Sequence, residues 1–200
     1  MTSIAFGERI YDEPVRRLIV PTSLAVLSDE EADAGEDHGL EGNHLYRDIR
    51  SVGWDLVAAA IQAEAALFDR FRASTDMDAE YEVWRDELEE AETPEEDFYG
   101  LDLGVISAVL ALSAIGAVTV WSCNAGGFGG GHAEPFPLIT MFLPPEHIAE
   151  VMEAAEAADV GLDMLEGGLV RLYGRTDFDL HRFAQVALTQ RLNLLPQDSV

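Results

Sequence analysis

Apolar side chains recur at helical spacing through the first half of the chain. Between residues 46 and 73 they fall three or four positions apart, which predicts a long amphipathic helix. A second, more acidic helix is predicted from Asp78 to Ala91, with Asp76 or Asp78 as its N-terminal cap. The apolar faces of the two helices carry Trp54, Val57, Ala58, Ile61, Ala65, Phe68 and Phe71 in the first, and Tyr81, Trp84 and Leu88 in the second.

The second half of the chain alternates short apolar runs with turn residues. Its pattern predicts the order α-β-β-α-β-β-α, which is an α+β fold with about four strands in a largely antiparallel sheet packed with helices. The two helices of the preceding segment are expected to pack on this core or on each other. In chain order the predicted elements are a buried helix at 102–115, strands at 117–123 and 137–143, a helix at 146–158, a hairpin turning at 166–168, and a final helix from Thr176 or Asp177 to about Leu192.

The first 45 residues show weaker signals. Residues 16–27 predict a short strand broken at Pro21, because proline cannot donate a hydrogen bond to a neighbouring strand. Residues 28–43 are charged and glycine-rich, which predicts an exposed loop. The pattern divides the chain into an N-terminal strand and acidic loop at 1–45, an acidic helical segment at 46–97 and an α+β core at 98–200, which together form one compact domain.

One apolar run is long enough to raise the question of a membrane span. Leu103–Ser122 covers about 20 residues, the length that crosses a bilayer. Gly116 interrupts the run, β-branched residues follow it, and no Lys or Arg flanks it, so a buried helix followed by a buried strand is the better prediction. The first residues lack a basic start and an apolar run, and the chain has one cysteine. Both features favour a cytoplasmic protein without a secretory signal.

The net charge is the strongest compositional feature. The chain has 12 Arg, no Lys and 38 acidic residues, for a formal charge of −26, and residues 1–100 alone hold −18. Direct nucleic-acid binding and binding to an anionic membrane are disfavoured, because both require clustered cations. Three interpretations stay open: a solvated surface shaped by genome composition or a high-salt habitat, an acidic face that docks a basic protein, and cation binding.

The turn between the first two predicted strands is the densest cluster of polar chemistry. It begins at Cys123 and Asn124, contains five glycines around Phe128, and ends with His132 and Glu134. Glycine allows positive φ angles and close approach of a ligand to the backbone. One interpretation makes Cys123 a nucleophile and His132 its base, with backbone N–H groups holding an anion.

Other interpretations of this turn compete with catalysis. Cys123, His132 and Glu134 could form a metal site with His38 or His44, but their spacing fits no compact ligand pair, so no metal and no cofactor is predicted. The glycines lack the sequence context of a phosphate-binding loop. Cys123 could simply be a small buried apolar residue. A ligand- or partner-binding turn with Phe128 as an exposed anchor is also possible, and its candidate residues are Asn124, Gly126, Gly127, Phe128, Gly130 and Glu134.

Two functional hypotheses follow from these features. The favoured one is an acidic, non-enzymatic binding protein that neutralises or regulates a basic protein partner, in the manner of an immunity protein, an antitoxin or a nucleic-acid mimic. The alternative is a small enzyme or ligand-binding protein that uses the glycine-rich turn, as a hydrolase or transferase dependent on Cys123 and His132. The sequence leaves the oligomeric state open.

Overall fold

The predicted α+β architecture is confirmed. Within residues 9–19, 24–94, 96–128 and 134–194, which the computed structural model describes, the chain forms six α-helices and one four-stranded antiparallel sheet. The helices are α1 (Asp29–His38), α2 (Trp54–Ala73), α3 (Met77–Glu89), α4 (Ile106–Ile115), α5 (Ile148–Ala157) and α6 (Asp179–Leu194). The strands are β1 (Val118–Cys123), β2 (Leu138–Phe142), β3 (Gly161–Met164) and β4 (Val170–Tyr173).

The sheet has the order β1-β2-β4-β3, and every neighbouring pair is antiparallel. The two hairpins follow directly from the turn signals in the sequence. Helices α4, α5 and α6 join one face of the sheet in the main hydrophobic core, which includes Ile139, Met141 and Leu172 from the central strands. Helix α2 packs against α4 and α6, so the acidic helical segment contributes to the same core.

The N-terminal chain covers the opposite face of the sheet. Tyr46 packs against Val118 and Phe142 at one end, while Tyr11 packs near Tyr173 at the other. The predicted strand at 16–27 is wrong for residues 16–19 and 24–27, where isolated hydrogen bonds to the sheet replace a continuous ladder. Pro21, where the strand was expected to break, lies outside the described residues.

The ring of Tyr173 packs closely against the backbone of β3, next to the N-terminal chain that covers this face of the sheet. A Cβ atom at Gly161 would lie 2.0 Å from the ring of Tyr173, so only glycine lets that ring cross β3. The Tyr173 hydroxyl then donates to the carbonyl of Pro14 and accepts from the N–H of Arg16, at 2.9 Å each. These bonds fasten the N-terminal chain along the edge of the sheet.

The exposed loop predicted at 28–43 is also wrong, because most of it is helix α1. Ser28 and Glu31 form a reciprocal capping box, which supplies partners for the first N–H groups of the helix. The buried face of α1 consists of Ala32 and Gly35. A small residue is required at Gly35, since a Cβ atom there would lie 2.9 Å from the ring of Tyr46.

The long apolar run divides as the sequence predicts. Helix α4 ends at Gly116, which adopts a left-handed conformation with φ of 103°, and β1 begins two residues later. The helix begins at Ile106, four residues later than expected. Among the residues that the structure describes, no helix has both the length and the apolar character needed to cross a membrane.

Candidate functional site

Asn124 organises the start of the glycine-rich turn. Its side chain is buried, donates to the carbonyl of Leu103 at 2.9 Å and accepts from the N–H of Gly126 at 2.9 Å. The backbone carbonyl of Asn124 accepts a hydrogen bond from the N–H of Gly127 at 3.1 Å. Positive φ angles at Ala125 (56°) and Gly126 (69°) complete the turn. Because both ends of the amide are engaged, Asn124 holds the turn in shape.

Cys123 is buried at the end of β1, and its sulfur accepts a hydrogen bond from the N–H of Ala125 at 3.3 Å. Burial raises the pKa of the thiol, and the nearby carboxylates of Asp102 and Glu134 add to that rise. A thiolate is therefore disfavoured at neutral pH, which argues against a nucleophile. His132 and Gly130 lie outside the described residues, so the pairing of Cys123 with His132 stays a prediction.

The expectation that Phe128 is exposed is wrong. The side chain is only 1% exposed, and its ring stacks on Phe68 with 5.3 Å between the centroids. Phe71 and Phe178 meet the same ring edge-on, at 6.2 and 6.3 Å. Phe128 thus anchors the turn to helix α2 from inside the core and presents no surface to a partner.

Asp177 lies directly beneath this turn. The sequence did not indicate this position for Asp177. It is 2% exposed, and its Oδ1 accepts from the hydroxyl of Tyr11 at 2.8 Å. Its Oδ2 has no hydrogen-bond partner among the described residues. A Cβ atom at Gly127 would lie 2.4 Å from Oδ1, which explains a glycine here. Arg9 bonds the carbonyl of Gly126 at 2.8 Å, so the N-terminal chain closes over the turn.

Neutralising Asp177 is expected to stabilise the protein at neutral pH. Burial raises the pKa of this carboxyl, as does Asp179, against smaller opposing effects of the Tyr11 hydroxyl and Arg9. The folded state therefore favours the protonated acid, and stability is lost as pH rises through the raised pKa. Asp177→Asn should increase the free energy of unfolding at pH 7 by about 1–2 kcal/mol. Urea unfolding followed by circular dichroism measures the change.

The pH profile provides the control for this prediction. The difference in unfolding free energy between the variant and the wild type should shrink as pH falls through the raised pKa of folded Asp177 toward the unfolded value of about 3.9, because the folded state takes up the proton first. Carboxyls whose pKa is lowered, such as Glu31, act equally in both proteins and cancel from the difference. A variant that is less stable than the wild type at pH 7 would overturn the prediction.

A second buried carboxylate lies between α2 and α4. Glu64 is 1% exposed, and its Oε1 accepts from the N–H groups of Gly104 and Ile106 at 2.9 and 3.1 Å. Its Oε2 accepts from the N–H and hydroxyl of Ser107 and contacts Nδ1 of His181 at 3.0 Å. The serine, histidine and acid resemble a catalytic set in composition, but all three are buried and the carboxylate binds helix N–H groups. The cluster is structural.

An acid-lined cleft lies on the other side of the molecule. It has a volume of about 760 Å³ and runs between α1, the loop at 48–51 and the turn that joins β2 to α5. Arg50 lies in it and bonds the carboxylates of Asp48 and Asp29. The wall also includes Val26, Leu27, Val118, Phe142 and Pro144, and the acidic residues are Asp29, Asp33, Glu36, Asp48 and Glu146.

Candidate metal ligands are not brought together. Over the parts of the chain with described positions, no group of three or more His, Cys, Asp or Glu side chains is arranged to hold a metal ion. His38 ends helix α1, while Cys123 and Glu134 lie at the two ends of the turn.

Comparison with protein-family models, with curated proteins and with solved structures finds no match to this chain.

Proposed function

We propose that this protein is a non-enzymatic acidic binding protein, and that its acid-lined cleft receives basic side chains of a protein partner. The observation that carries the proposal is the convergence of five carboxylates on one concave surface. Such a surface attracts a cationic partner and speeds encounter, and a cleft concentrates the field more than a flat face does. Proteins that bind a basic partner in this way include those that neutralise a toxin and those that mimic a nucleic acid.

Only part of the negative charge in the cleft is compensated internally. Arg50 pairs with Asp29 and Asp48. Among the described residues, Asp33, Glu36 and Glu146 form no ion pair with a basic side chain. Asp33 and Glu146 are available to an incoming guanidinium or ammonium group, and so is Oε2 of Glu36, whose Oε1 accepts from the N–H of Asp48 at 3.0 Å. All three carboxylates can bind such a group through charge-assisted hydrogen bonds.

The apolar wall of the cleft suits the same kind of partner. Val26 is 73% exposed at its edge, and Leu27, Phe142 and Pro144 extend the apolar surface inward. Arginine and lysine carry aliphatic stems that pack on apolar surface while their charged ends reach polar groups. A cleft with both kinds of lining therefore fits a basic side chain better than an isolated acidic patch would.

Removing the three carboxylates that form no ion pair should weaken binding of a nine-arginine peptide. The triple variant Asp33→Asn, Glu36→Gln, Glu146→Gln is expected to raise Kd about tenfold at low salt, because each lost pair contributes about 0.5 kcal/mol. Isothermal titration calorimetry measures the affinity. The wild-type affinity should also fall steadily as salt is increased.

A matched variant separates the cleft from the overall charge. Glu82→Gln, Asp86→Asn, Glu89→Gln changes the net charge equally but lies on α3, outside the cleft. Its Kd should rise less than about twofold, because none of these three side chains lines the cleft that receives the peptide. Equal increases in Kd for the two triple variants would show that binding of the peptide depends only on the net charge of the protein. Absence of binding at low salt would reject the proposed function.

A further inference from the structure

A groove lies beside the acid-lined cleft and shares Glu36 with it. The groove has a volume of about 790 Å³ and is bounded by residues 43–49, residues 99–102 and strand β1. Two large apolar side chains stand exposed in its lining: Leu45 is 88% exposed and Trp121 is 46% exposed. The groove and the cleft therefore adjoin at Glu36. The cleft is lined with acids, and the groove carries these two exposed apolar side chains among polar ones that include Arg47 and Asp102.

Hydrogen bonds fix the Trp121 side chain and the backbone at Leu45. The indole N–H of Trp121 donates to the carbonyl of Glu41 at 3.3 Å. Asn43 bonds the carbonyl of Val120 at 2.6 Å and accepts from the N–H of Leu45 at 2.9 Å, which ties the loop to β1. A rigid aromatic side chain loses little entropy on binding, which is typical of residues that dominate interface affinity.

The lining of the groove also contains a polar group without a partner. Tyr46 is buried, and its hydroxyl has no hydrogen-bond partner among the described residues. Burial and the neighbouring carboxylate of Asp48 raise the pKa of this phenol, so it stays protonated and able to donate. A buried hydroxyl without a partner is unfavourable, so this position carries a free-energy cost in the free protein.

We infer that the cleft and the groove receive a single segment of the partner, one that carries an aromatic or large aliphatic side chain next to its basic residues. The basic side chains enter the cleft, and the apolar side chain packs on Trp121 and Leu45. Glu36 lies where the cleft meets the groove, and its carboxylate favours a basic residue of the partner next to the partner's apolar residue. This inference rests on the proposed function and specifies the chemistry of the partner.

Two peptides of equal charge test the inference. Each has nine arginines, and one has tryptophan inserted at its centre where the other has serine. The wild-type protein should bind the tryptophan peptide about tenfold more tightly in calorimetry, because aromatic contacts at interface centres commonly contribute at least that factor. Trp121→Ala and Leu45→Ser should each remove most of the difference while leaving the affinity for the serine peptide unchanged.

The variants include a control for non-specific apolar contact and for folding. Val83→Ser removes an exposed apolar side chain of α3 that does not line the groove, and it should preserve the tenfold preference. Leu45 is so exposed that its substitution leaves the fold intact, which keeps the test valid if Trp121→Ala is unstable. Equal affinity of the wild type for both peptides overturns this inference and leaves the cleft proposal standing. Failure of both peptides to bind overturns the proposed function itself.

Discussion

Replacing Glu64 with alanine is expected to lower the free energy of unfolding by about 3–5 kcal/mol, the usual penalty for removing one member of a buried charged network. The carboxylate accepts from the N–H groups of Gly104, Ile106 and Ser107, from the Ser107 hydroxyl, and contacts His181. Alanine leaves these groups buried without partners, and each buried donor without an acceptor costs about 1–3 kcal/mol.

The position of Glu64 explains why the loss should be so large. Val105 occupies the N-cap position of α4 and has no side-chain oxygen to cap the helix. Nearly every residue of α4 is buried, so water cannot satisfy its first N–H groups. Glu64 on α2 supplies the missing acceptor, and its negative charge suits the positive end of the helix dipole.

A conservative substitution should refine this result. Glu64→Gln keeps the shape of the side chain but places an NH₂ group opposite hydrogen-bond donors. We expect it to lower the free energy of unfolding by about 1–3 kcal/mol. Ser107 and His181 can reverse their hydrogen-bond roles, whereas backbone N–H groups cannot. Urea unfolding measures both variants, with the exposed Glu82→Gln expected to change stability by less than about 0.5 kcal/mol. A loss below about 1 kcal/mol for Glu64→Ala would contradict the capping role.

The elements that were predictable from the sequence are those with a strong local period. Helix α2 follows from apolar residues at spacings of three and four, although it begins at Trp54 and the predicted start at residue 46 is wrong. The β3–β4 hairpin follows from the turn at 166–168 between two short apolar runs. Gly116 marks the change from helix to strand in the long apolar run. In each case the local preference and the tertiary packing agree.

Helix α1 was missed because its signal is polar. Its buried face is only Ala32 and Gly35, so hydrophobic periodicity is absent, although Ser28 and Glu31 have the spacing of a capping box. Glu64 was missed for another reason. Its position on the buried face of α2 is visible in the period, but the donors that require a carboxylate lie some 40 residues away in sequence.

The candidate binding surface was predictable only in its charge. The composition indicated a basic partner and located most of the acid in the first half of the chain. The cleft, however, brings carboxylates of α1 and the loop after it against Glu146, nearly 100 residues later. Tertiary structure alone creates that concavity, as it also creates the environment of Asp177 under the turn.

Phe128→Ala is expected to lower the free energy of unfolding by about 3–5 kcal/mol, as for other buried aromatic side chains truncated to alanine. The ring fills a space bounded by Phe68, Phe178 and the backbone of Gly104, where a Cβ atom would lie 2.4 Å from the ring. Alanine would leave a cavity that these rigid neighbours cannot close. Thermal and urea unfolding measure the loss, and Phe128→Leu should be less affected because it retains more of the volume.

The same substitution decides what the glycine-rich turn does. An interior anchor predicts a stability loss with unchanged affinity of the folded protein for the nine-arginine peptide, whereas an exposed anchor predicts the reverse. Gly104 contacts the Phe128 ring and donates its N–H to Glu64, so the two sites share one backbone segment. The losses in Phe128→Ala and Glu64→Ala should therefore not add, and a double-mutant cycle should give a coupling of about 0.5–3 kcal/mol. Strict additivity would mean that the turn and the start of α4 are held independently.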